Sequence, residues 1–177
     1  LYFLETGIKA DEQEKISHVV DQIDVTITYE NGEQIVWLNG RNVNGMIRTE
    51  EVSRMASATS VNSDVRAKLV ELQRKLASKE NVVMDGRDIG TVVLPNADVK
   101  VYLTASSAVR AKRRYEEQIA KGEECNLEEI EKDIIERDHR DMTREISPLR
   151  QAEDAILLDS SDMTIEEVAD AVIALCK

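Results

Sequence analysis

The stretch NVVMDGRDIGTVVL, residues 81–94, decides how the chain is interpreted. Its apolar run Val82–Met84 predicts a buried strand, and Asp85-Gly86 then interrupts it. A second apolar run begins at Val92. Because ligands of doubly wound α/β sheets bind at the carboxyl ends of strands, two carboxylates and a guanidinium on this loop indicate phosphate or nucleotide chemistry. A hairpin turn at Asp85-Gly86 between two β-branched strands explains these residues equally well.

Composition and charge restrict the class of protein. The chain has 177 residues, enough for one domain with its own core, and a net charge of −12. This charge argues against non-specific nucleic-acid binding but leaves room for a local arginine cluster that holds a phosphate. Two cysteines without metal-ligand spacing fit a reducing cytosol. No run approaches the ~20 apolar residues of a membrane span, so we expect a cytoplasmic protein that binds neither nucleic acid nor membrane.

Local patterns predict a small antiparallel sheet between helices in the first half. Asn31-Gly32 is a strong hairpin signal, and Asn39-Gly40 makes a second turn. Thr49 is a plausible cap for the helix that follows. The predicted helices cover residues 11–20, 49–58 and Asn62–Lys79, and the predicted strands cover Asp24–Tyr29, Glu33–Leu38 and Arg41–Ile47.

Strands and helices alternate in the second half, which predicts a parallel sheet into which the antiparallel strands are inserted. We expect Ser160-Ser161-Asp162 to cap the last helix. After Val82–Met84, the predicted strands are Val99–Leu103 and Ala155–Leu158, and the predicted helices are Ser106–Lys121, Leu127–Glu145 and Thr164–Cys176.

One glycine pair has the spacing of a phosphate-binding P-loop. It frames the segment Gly40-Arg41-Asn42-Val43-Asn44-Gly45. A P-loop continues with lysine and then serine or threonine at the start of a helix, whereas Met46-Ile47 follow here. We interpret the segment as turns, and residues 1–177 contain no P-loop motif.

The helix predicted at Leu127–Glu145 carries Arg137, Asp141 and Arg144 along one face, at i, i+4 and i+7. This face is purely polar, so we expect it to have nowhere to bury, and the arginine fork suits bidentate binding of phosphate. The alternative, which this helix alone favours, is a solvated helix with i,i+4 pairs such as Asp133–Arg137 and Glu136–Arg140.

Taken together, these motifs resemble the bacterial cytidylate kinase family over the whole chain. The early antiparallel strands match that family's insert in the nucleoside-monophosphate region. The residues that carry the resemblance are Asp85-Gly86-Arg87-Asp88-Ile89-Gly90-Thr91 with Pro95, Arg137-Asp138-His139-Arg140-Asp141 with Arg144, and Leu158-Asp159-Ser160.

The resemblance implies a single kinase-like domain with a P-loop-kinase sheet, flanking helices, an antiparallel insert and a helical lid. It implies transfer of the γ-phosphoryl group of ATP to CMP or dCMP with Mg²⁺, by a monomer. The insert would cover residues 21–62, the core 63–105 and 154–177, and the lid 106–150.

The resemblance also implies roles for individual side chains. Ser57, Arg66 and Asp88 would bind cytosine, because an aspartate and an arginine complement the donor and acceptors of its edge. The other roles are ribose binding by Arg137 and Asp141, clamping of the CMP phosphate by Arg87 and Arg144, support of the Mg²⁺ hydration shell by Asp85, and closure over ATP by Arg113 and Arg140. The residues expected to act in catalysis are Arg87, Arg144, Arg140 and Asp85.

The chain departs from the family pattern at its beginning. The family starts with a strand, a P-loop and a helix, so we expect the natural protein to extend roughly forty residues upstream, the usual size of such a unit. The first alternative is a non-catalytic CMP-binding fragment or pseudokinase. The second is a different small-molecule kinase of the same fold, against which the insert and the set Ser57, Arg66 and Asp88 argue.

Overall fold

The computed structural model describes residues 1–176 and divides into two compact units, Leu1–Val82 and a second that begins at Val83. Of the helices in residues 1–176, none has both the length and the apolar composition needed to span a bilayer. The elements of the first unit are α1 (Tyr2–Glu5), α2 (Gln13–Val19), a 3₁₀ turn (Val20–Gln22), β1 (Val25–Glu30), β2 (Glu33–Leu38), β3 (Arg41–Asn42), α3 (Glu50–Thr59) and α4 (Ser63–Ala77).

The three strands of the first unit form the predicted antiparallel sheet in the order β1-β2-β3. Asn31 and Gly32 have φ angles of 52° and 82°, which close the hairpin and pair Glu30 with Glu33. Both central residues of such a turn need positive φ, which asparagine and glycine tolerate best. Gly40, with φ of 77°, belongs to the second turn, so the glycine pair is turn chemistry as predicted.

The third strand is shorter than predicted. Its pairing covers Arg41–Asn42 only, so the expectation of a strand over Arg41–Ile47 is wrong. Beyond Asn42, the Asn44 side chain forms the hydrogen bonds to β2 that a longer strand would form. Its Oδ1 accepts from the Val36 N–H at 2.7 Å, and its Nδ2 donates to the Gln34 carbonyl at 2.7 Å. Because these bonds satisfy β2, no further strand residue is needed there.

Helices of the first unit pack around an apolar cluster of Phe3, Ile16, Val20 and Val65. Their ends are capped locally. The Thr49 side chain accepts from the Val52 N–H, as predicted for α3. At the start of α4, buried Asn62 accepts from the N–H groups of Asp64 and Val65, and it donates to Gln13 Oε1 of α2 at 2.9 Å.

Residues 83–176, the described part of the second unit, contain two strands and three long helices. Its strands pair in parallel, from Val101 opposite Ile156 to Thr104 opposite Asp159, which confirms the predicted parallel sheet. A small cluster of Ala111, Ile130 and Ile134 joins the two central helices. In chain order, the elements are a π-helical turn (Ile89–Val93), β4 (Val101–Thr104), α5 (Ser107–Ala120), α6 (Leu127–Thr143), β5 (Ile156–Asp159) and α7 (Ile165–Leu175).

Two predictions around the opening stretch are wrong. Val82–Met84 belongs to no strand, and Val83 is 97% exposed. The apolar run at Val92 forms part of the π-helical turn, in which the Asp88 carbonyl accepts from the N–H groups of Val92 and Val93. Neither the buried strand nor the hairpin therefore forms, because β-branched residues favour a strand only where a neighbouring strand pairs with them.

The expected cap of the last helix is also wrong. Thr164 caps α7 in a capping box: its hydroxyl accepts from the Glu167 N–H, and the Glu167 carboxylate accepts from the Thr164 N–H. Ser161 instead contacts the last residue of β5: its N–H and hydroxyl both donate to Asp159 Oδ1. The serine run thus ends β5 rather than beginning α7.

Candidate active site

Neighbouring side chains lie close to both glycines of the loop at residues 85–91. A Cβ added at Gly86 would lie 2.9 Å from the Ile89 side chain, and one at Gly90 would lie 3.3 Å from Lys100 Cδ. Lys100 is held in turn by hydrogen bonds to the Pro95 carbonyl and the Asp154 carboxylate. A π-helical turn is rare in proteins.

Asp85, Arg87 and Asp88 project from this loop into different environments. The Asp85 side chain is exposed, whereas Asp88 is only 4% exposed. Arg87 is 41% exposed, and its Nε donates to Asp141 Oδ2 at 2.7 Å. The loop therefore places one carboxylate in solvent, buries a second and directs a guanidinium toward α6.

Asp141 connects two of the predicted phosphate-binding arginines. It is 8% exposed, accepts from Arg87, and has its Oδ1 4.0 Å from Nη1 of Arg144. The Arg144 side chain is 10% exposed, and its Nε donates to the Ser147 carbonyl at 2.6 Å. The expectation that this helix face has nowhere to bury is wrong, because Asp141 and Arg144 are both covered. The structure thus brings Arg87, Asp141 and Arg144 together.

One atom of this cluster lacks a protein partner. Arg144 Nη2 is buried and forms no hydrogen bond within residues 1–176. Buried polar groups of folded proteins nearly always have a partner, and an unsatisfied donor is costly. An anion beside Arg144 would satisfy this donor and balance the two arginine charges that Asp141 balances only in part.

Arg137 and Arg140 lie on the exposed side of α6. Within residues 1–176, neither guanidinium comes within 4.0 Å of a carboxylate, so the i,i+4 pairs considered above, Asp133–Arg137 and Glu136–Arg140, do not form. Arg140 Nε instead makes a long hydrogen bond of 3.4 Å to the Glu136 carbonyl. Both arginines present their charge to solvent.

Arg113 is anchored within the second unit. Its guanidinium donates to the Ser160 hydroxyl, the Ser160 carbonyl and the Met163 carbonyl, between β5 and α7. These bonds tie α5 to the loop that follows the parallel sheet. The role toward ATP that the resemblance implies for Arg113 stays a prediction.

Two predicted base-binding residues belong to the first unit. Ser57 is half-buried in the last turn of α3, where its carbonyl accepts from the Ser60 hydroxyl. Arg66 is half-buried in the first turn of α4, which Asn62 caps. The third, Asp88, is part of the second unit. The cytosine-binding role of these three residues stays a prediction.

Sequence reasoning missed an ion pair in the second unit. Arg110 of α5 donates from Nη1 and Nη2 to the two oxygens of Asp138 on α6, at 3.0 and 2.5 Å. The hydrogen bonds from Arg110 lower the pKa of Asp138, and the same bonds raise the pKa of Arg110. A signal was present, because neither residue has an opposite charge three or four positions away on its own helix.

Comparison with known proteins identifies the family. The family model described as Cytidylate kinase matches residues 1–177. The cytidylate kinase of Carboxydothermus hydrogenoformans is 46% identical over 98% of this chain and 78% of its own length. That of Caldicellulosiruptor saccharolyticus is 48% identical over 99% and 77%, and that of Bacillus subtilis is 43% identical over 96% and 76%. The mixed α/β architecture agrees with that fold, and the chain belongs to the cytidylate kinase family.

Proposed function

We propose that this protein transfers the γ-phosphoryl group of ATP to CMP or dCMP, giving CDP or dCDP. The observation that carries the proposal is the match to curated cytidylate kinases over nearly the whole chain. The cluster of Arg87, Asp141 and Arg144 supports it independently, because phosphoryl transfer depends on positioning and on neutralising phosphate charge. No observation favours the alternative of a non-catalytic CMP-binding protein.

We assign the CMP phosphate to Arg87 and Arg144. Within residues 1–176, the buried Nη2 of Arg144 has no protein partner, and Arg87 forms an ion pair through Nε. A phosphate is a suitable partner, since arginine binds it with parallel N–H donors at a fixed geometry. Two guanidinium groups on one phosphate would also withdraw charge from the group that attacks ATP.

We assign the ribose to Arg137 and Asp141. A carboxylate accepts hydrogen bonds from hydroxyl groups, and Asp141 is already oriented by Arg87. Arg137 lies one helical turn before Asp141 on the same face of α6, with its charge exposed. Together they would bind the sugar beside the phosphate-binding arginines.

We assign cytosine to Ser57, Arg66 and Asp88. The exocyclic amino group of the base is a donor, whereas its ring nitrogen and carbonyl are acceptors. A carboxylate complements the first group, and a guanidinium complements the other two. Burial of Asp88 supports this assignment, because a charge-assisted hydrogen bond discriminates best where water is excluded.

ATP-dependent phosphoryl transfer generally needs a divalent metal, and we propose Mg²⁺. Asp85 is a single exposed carboxylate, and no group of three potential metal ligands exists among residues 1–176. This donor set fits Mg²⁺, which keeps several waters and binds mainly through substrate phosphates, with Asp85 accepting hydrogen bonds from its water. When bound, the ion neutralises phosphate charge.

The remaining catalytic work falls to arginines. We propose that Arg140 and Arg113 contact the ATP phosphates, with Arg140 free of carboxylates and exposed on α6. Arginines that close over the nucleotides would neutralise charge on the transferring group and exclude the water that hydrolyses ATP. No covalent intermediate or strong base is needed. We further propose a cytoplasmic monomer.

The direct test measures ADP release from ATP with CMP, dCMP, UMP or AMP as acceptor. We expect turnover with CMP and dCMP and much less with AMP, because the assigned donors complement cytosine. Absence of turnover by a preparation that binds both CMP and ATP would overturn the proposal in favour of the non-catalytic alternative.

Base recognition is tested by Ser57→Ala. Loss of one base-binding hydroxyl should raise the KM for CMP about tenfold and leave the KM for ATP unchanged. The matched control is Ser53→Ala, one turn earlier on α3, where the hydroxyl donates to the Thr49 carbonyl. Equal effects on CMP and ATP would contradict the assignment of Ser57.

A further inference from the structure

Helix α6 is held at two points along one face. Asp138 and Asp141 are three residues apart and therefore neighbours on this face. Asp138 pairs with Arg110 of α5, and Asp141 pairs with Arg87 of the loop. Each carboxylate thus has an arginine from a different element, and only Arg87 belongs to the proposed nucleotide site.

Arg110 is oriented by more than its partner. Its Nε donates to the carbonyl of Ala105, the residue directly after β4, at 3.0 Å. The other two nitrogens form a bidentate pair with Asp138. All three donating groups of the guanidinium are therefore in use, and the side chain joins the end of the parallel strand to α6.

The charge of Asp138 reaches the proposed nucleotide site. The hydrogen bonds from Arg110 lower the pKa of Asp138 most, whereas burial raises it. The positive charges of Arg87 and Arg137 lower this pKa further. Arg137 directly precedes Asp138 on α6, and its side chain is exposed to solvent. Arg87 lies against the next carboxylate on the same face, so it is the cation that Asp138 competes for.

We propose that Arg110 is a positioning residue that occupies the Asp138 carboxylate and so leaves Arg87 for the nucleotide phosphate. The inference rests on the proposed function, in which Arg87 binds CMP. Without Arg110, Asp138 is an unpaired carboxylate one turn from an arginine pair, at a position where its side chain is only 27% exposed when Arg110 is in place. Arg87 then turns from Asp141 and the phosphate toward Asp138, because an unpaired, poorly solvated charge is costly.

The test compares two single variants with their combination. Arg110→Met frees Asp138, whereas Asp138→Asn removes the competing charge. We expect Arg110→Met to weaken CMP binding about tenfold, within the range of coupling between neighbouring charges, and Asp138→Asn to weaken it about twofold or less. The double variant should bind CMP nearly as tightly as the unsubstituted protein, although it lacks the ion pair altogether.

Titration calorimetry with CMP on the whole chain gives the dissociation constants. The matched control is Arg114→Met, because Arg114 is exposed on the same helix and forms no ion pair within residues 1–176. Arg110→Lys keeps the charge and should retain most of the affinity. If the double variant binds as weakly as Arg110→Met, the pair acts only through packing and the proposal is overturned. Unchanged affinity in Arg110→Met overturns it equally.

Further variants distinguish failure of the positioning role of Arg110 from failure of the proposed function. Arg87→Met reports on the proposed function: unchanged CMP affinity in this variant means that the phosphate site itself is wrongly assigned. If Arg87→Met weakens binding and Arg110→Met does not, only the positioning role fails. Should Arg110→Met not fold, judged by thermal unfolding, Arg110→Gln and its combination with Asp138→Asn make the same comparison with a polar side chain of smaller perturbation.

Discussion

The two units hold their helices together in different ways. In the first unit, α2 and α4 meet around the buried apolar residues Ile16, Val20 and Val65, and one buried asparagine links them. In the second unit, α5 and α6 share a smaller cluster around Ala111, and two arginine–aspartate pairs hold α6. One unit thus relies on a non-directional force, and the other adds directional charge pairs.

This difference corresponds to the distribution of the proposed chemistry. The ribose and phosphate assignments fall on the second unit, where ion pairs set the rotation of α6 and the direction of each guanidinium. Apolar packing alone would not specify those directions, since its free energy is non-directional and roughly proportional to the buried apolar area. The comparison predicts that substitutions in the apolar cluster of the first unit mainly change stability and that substitutions of Arg87, Asp141 or Arg144 mainly change activity.

The largest expected effect is on stability, in the first unit. Ile16 is fully buried, so Ile16→Ala should lower the free energy of unfolding by about 4 kcal/mol. Urea unfolding followed by fluorescence measures this effect, because the only tryptophan, Trp37, belongs to β2 of the same unit. The control is Ile165→Ala. The Ile165 side chain is 85% exposed, so its removal should hardly change the free energy of unfolding. Equal losses would contradict the core that we describe.

Removal of Arg144 should have the largest effect on activity. Arg144→Met removes the buried donor that has no partner in the described part of the chain, so kcat should fall about 100-fold, as for loss of one preorganised donor to developing charge. The control is Arg150→Met, at an exposed arginine beyond α6. Steady-state assays with ATP and CMP measure both variants. An unchanged kcat would restore the simpler interpretation of α6 as a solvated charged helix.

A third prediction compares the same residue type in both units. Asn62 and Asn126 cap α4 and α6, but Asn62 is buried and also donates to α2. Asn62→Ala should therefore lower the free energy of unfolding by about 2 kcal/mol, and Asn126→Ala by about 1 kcal/mol. Urea unfolding of both variants followed by circular dichroism measures the difference. A larger loss at Asn126 would show that the cap matters more than the link to α2.

The smallest expected effect is a change in acid sensitivity. The pKa of Asp138 is lowered in the folded protein, mainly by the hydrogen bonds from Arg110. Its contribution to stability is therefore present above the ordinary aspartate pKa of about 3.9 and is lost as the pH falls through the lower folded value. Asp138→Asn should flatten the loss of stability below about pH 4. Urea unfolding at several acidic pH values measures this, with Asp133→Asn, an exposed position on α6, as the control.

Much of the fold could be predicted because its signals are local. Asn31-Gly32 predicts a hairpin through its backbone preferences alone, and the observed strand Glu33–Leu38 agrees with the prediction at both ends. The predicted helices lie within a few residues of the observed ones, since helical periodicity and caps are properties of short segments. The family could also be identified, because its ordered motifs are visible without coordinates.

The wrong predictions concern which strand, helix end or charged residue a given segment or side chain contacts. Val82–Met84 has the composition of a strand but is paired with none. After β5, Ser160 donates to the Thr104 carbonyl and Ser161 to Asp159 instead of capping α7. The expected pairs within α6 do not form, and the partner of Asp138 comes from α5 instead. Each segment offers several plausible partners, and spacing along the chain does not rank them.

The sequence by itself determined the class of fold, most of the helices, the hairpin and the set of charged residues on α6, because these depend on backbone preferences and periodicity over a few residues. Only the tertiary structure decided that Asp141 is buried between two arginines, that one buried donor of Arg144 has no partner among residues 1–176, and that Arg110 occupies Asp138. The physical reason is that charge pairing is strong only at short distance and in low dielectric, and folding sets both.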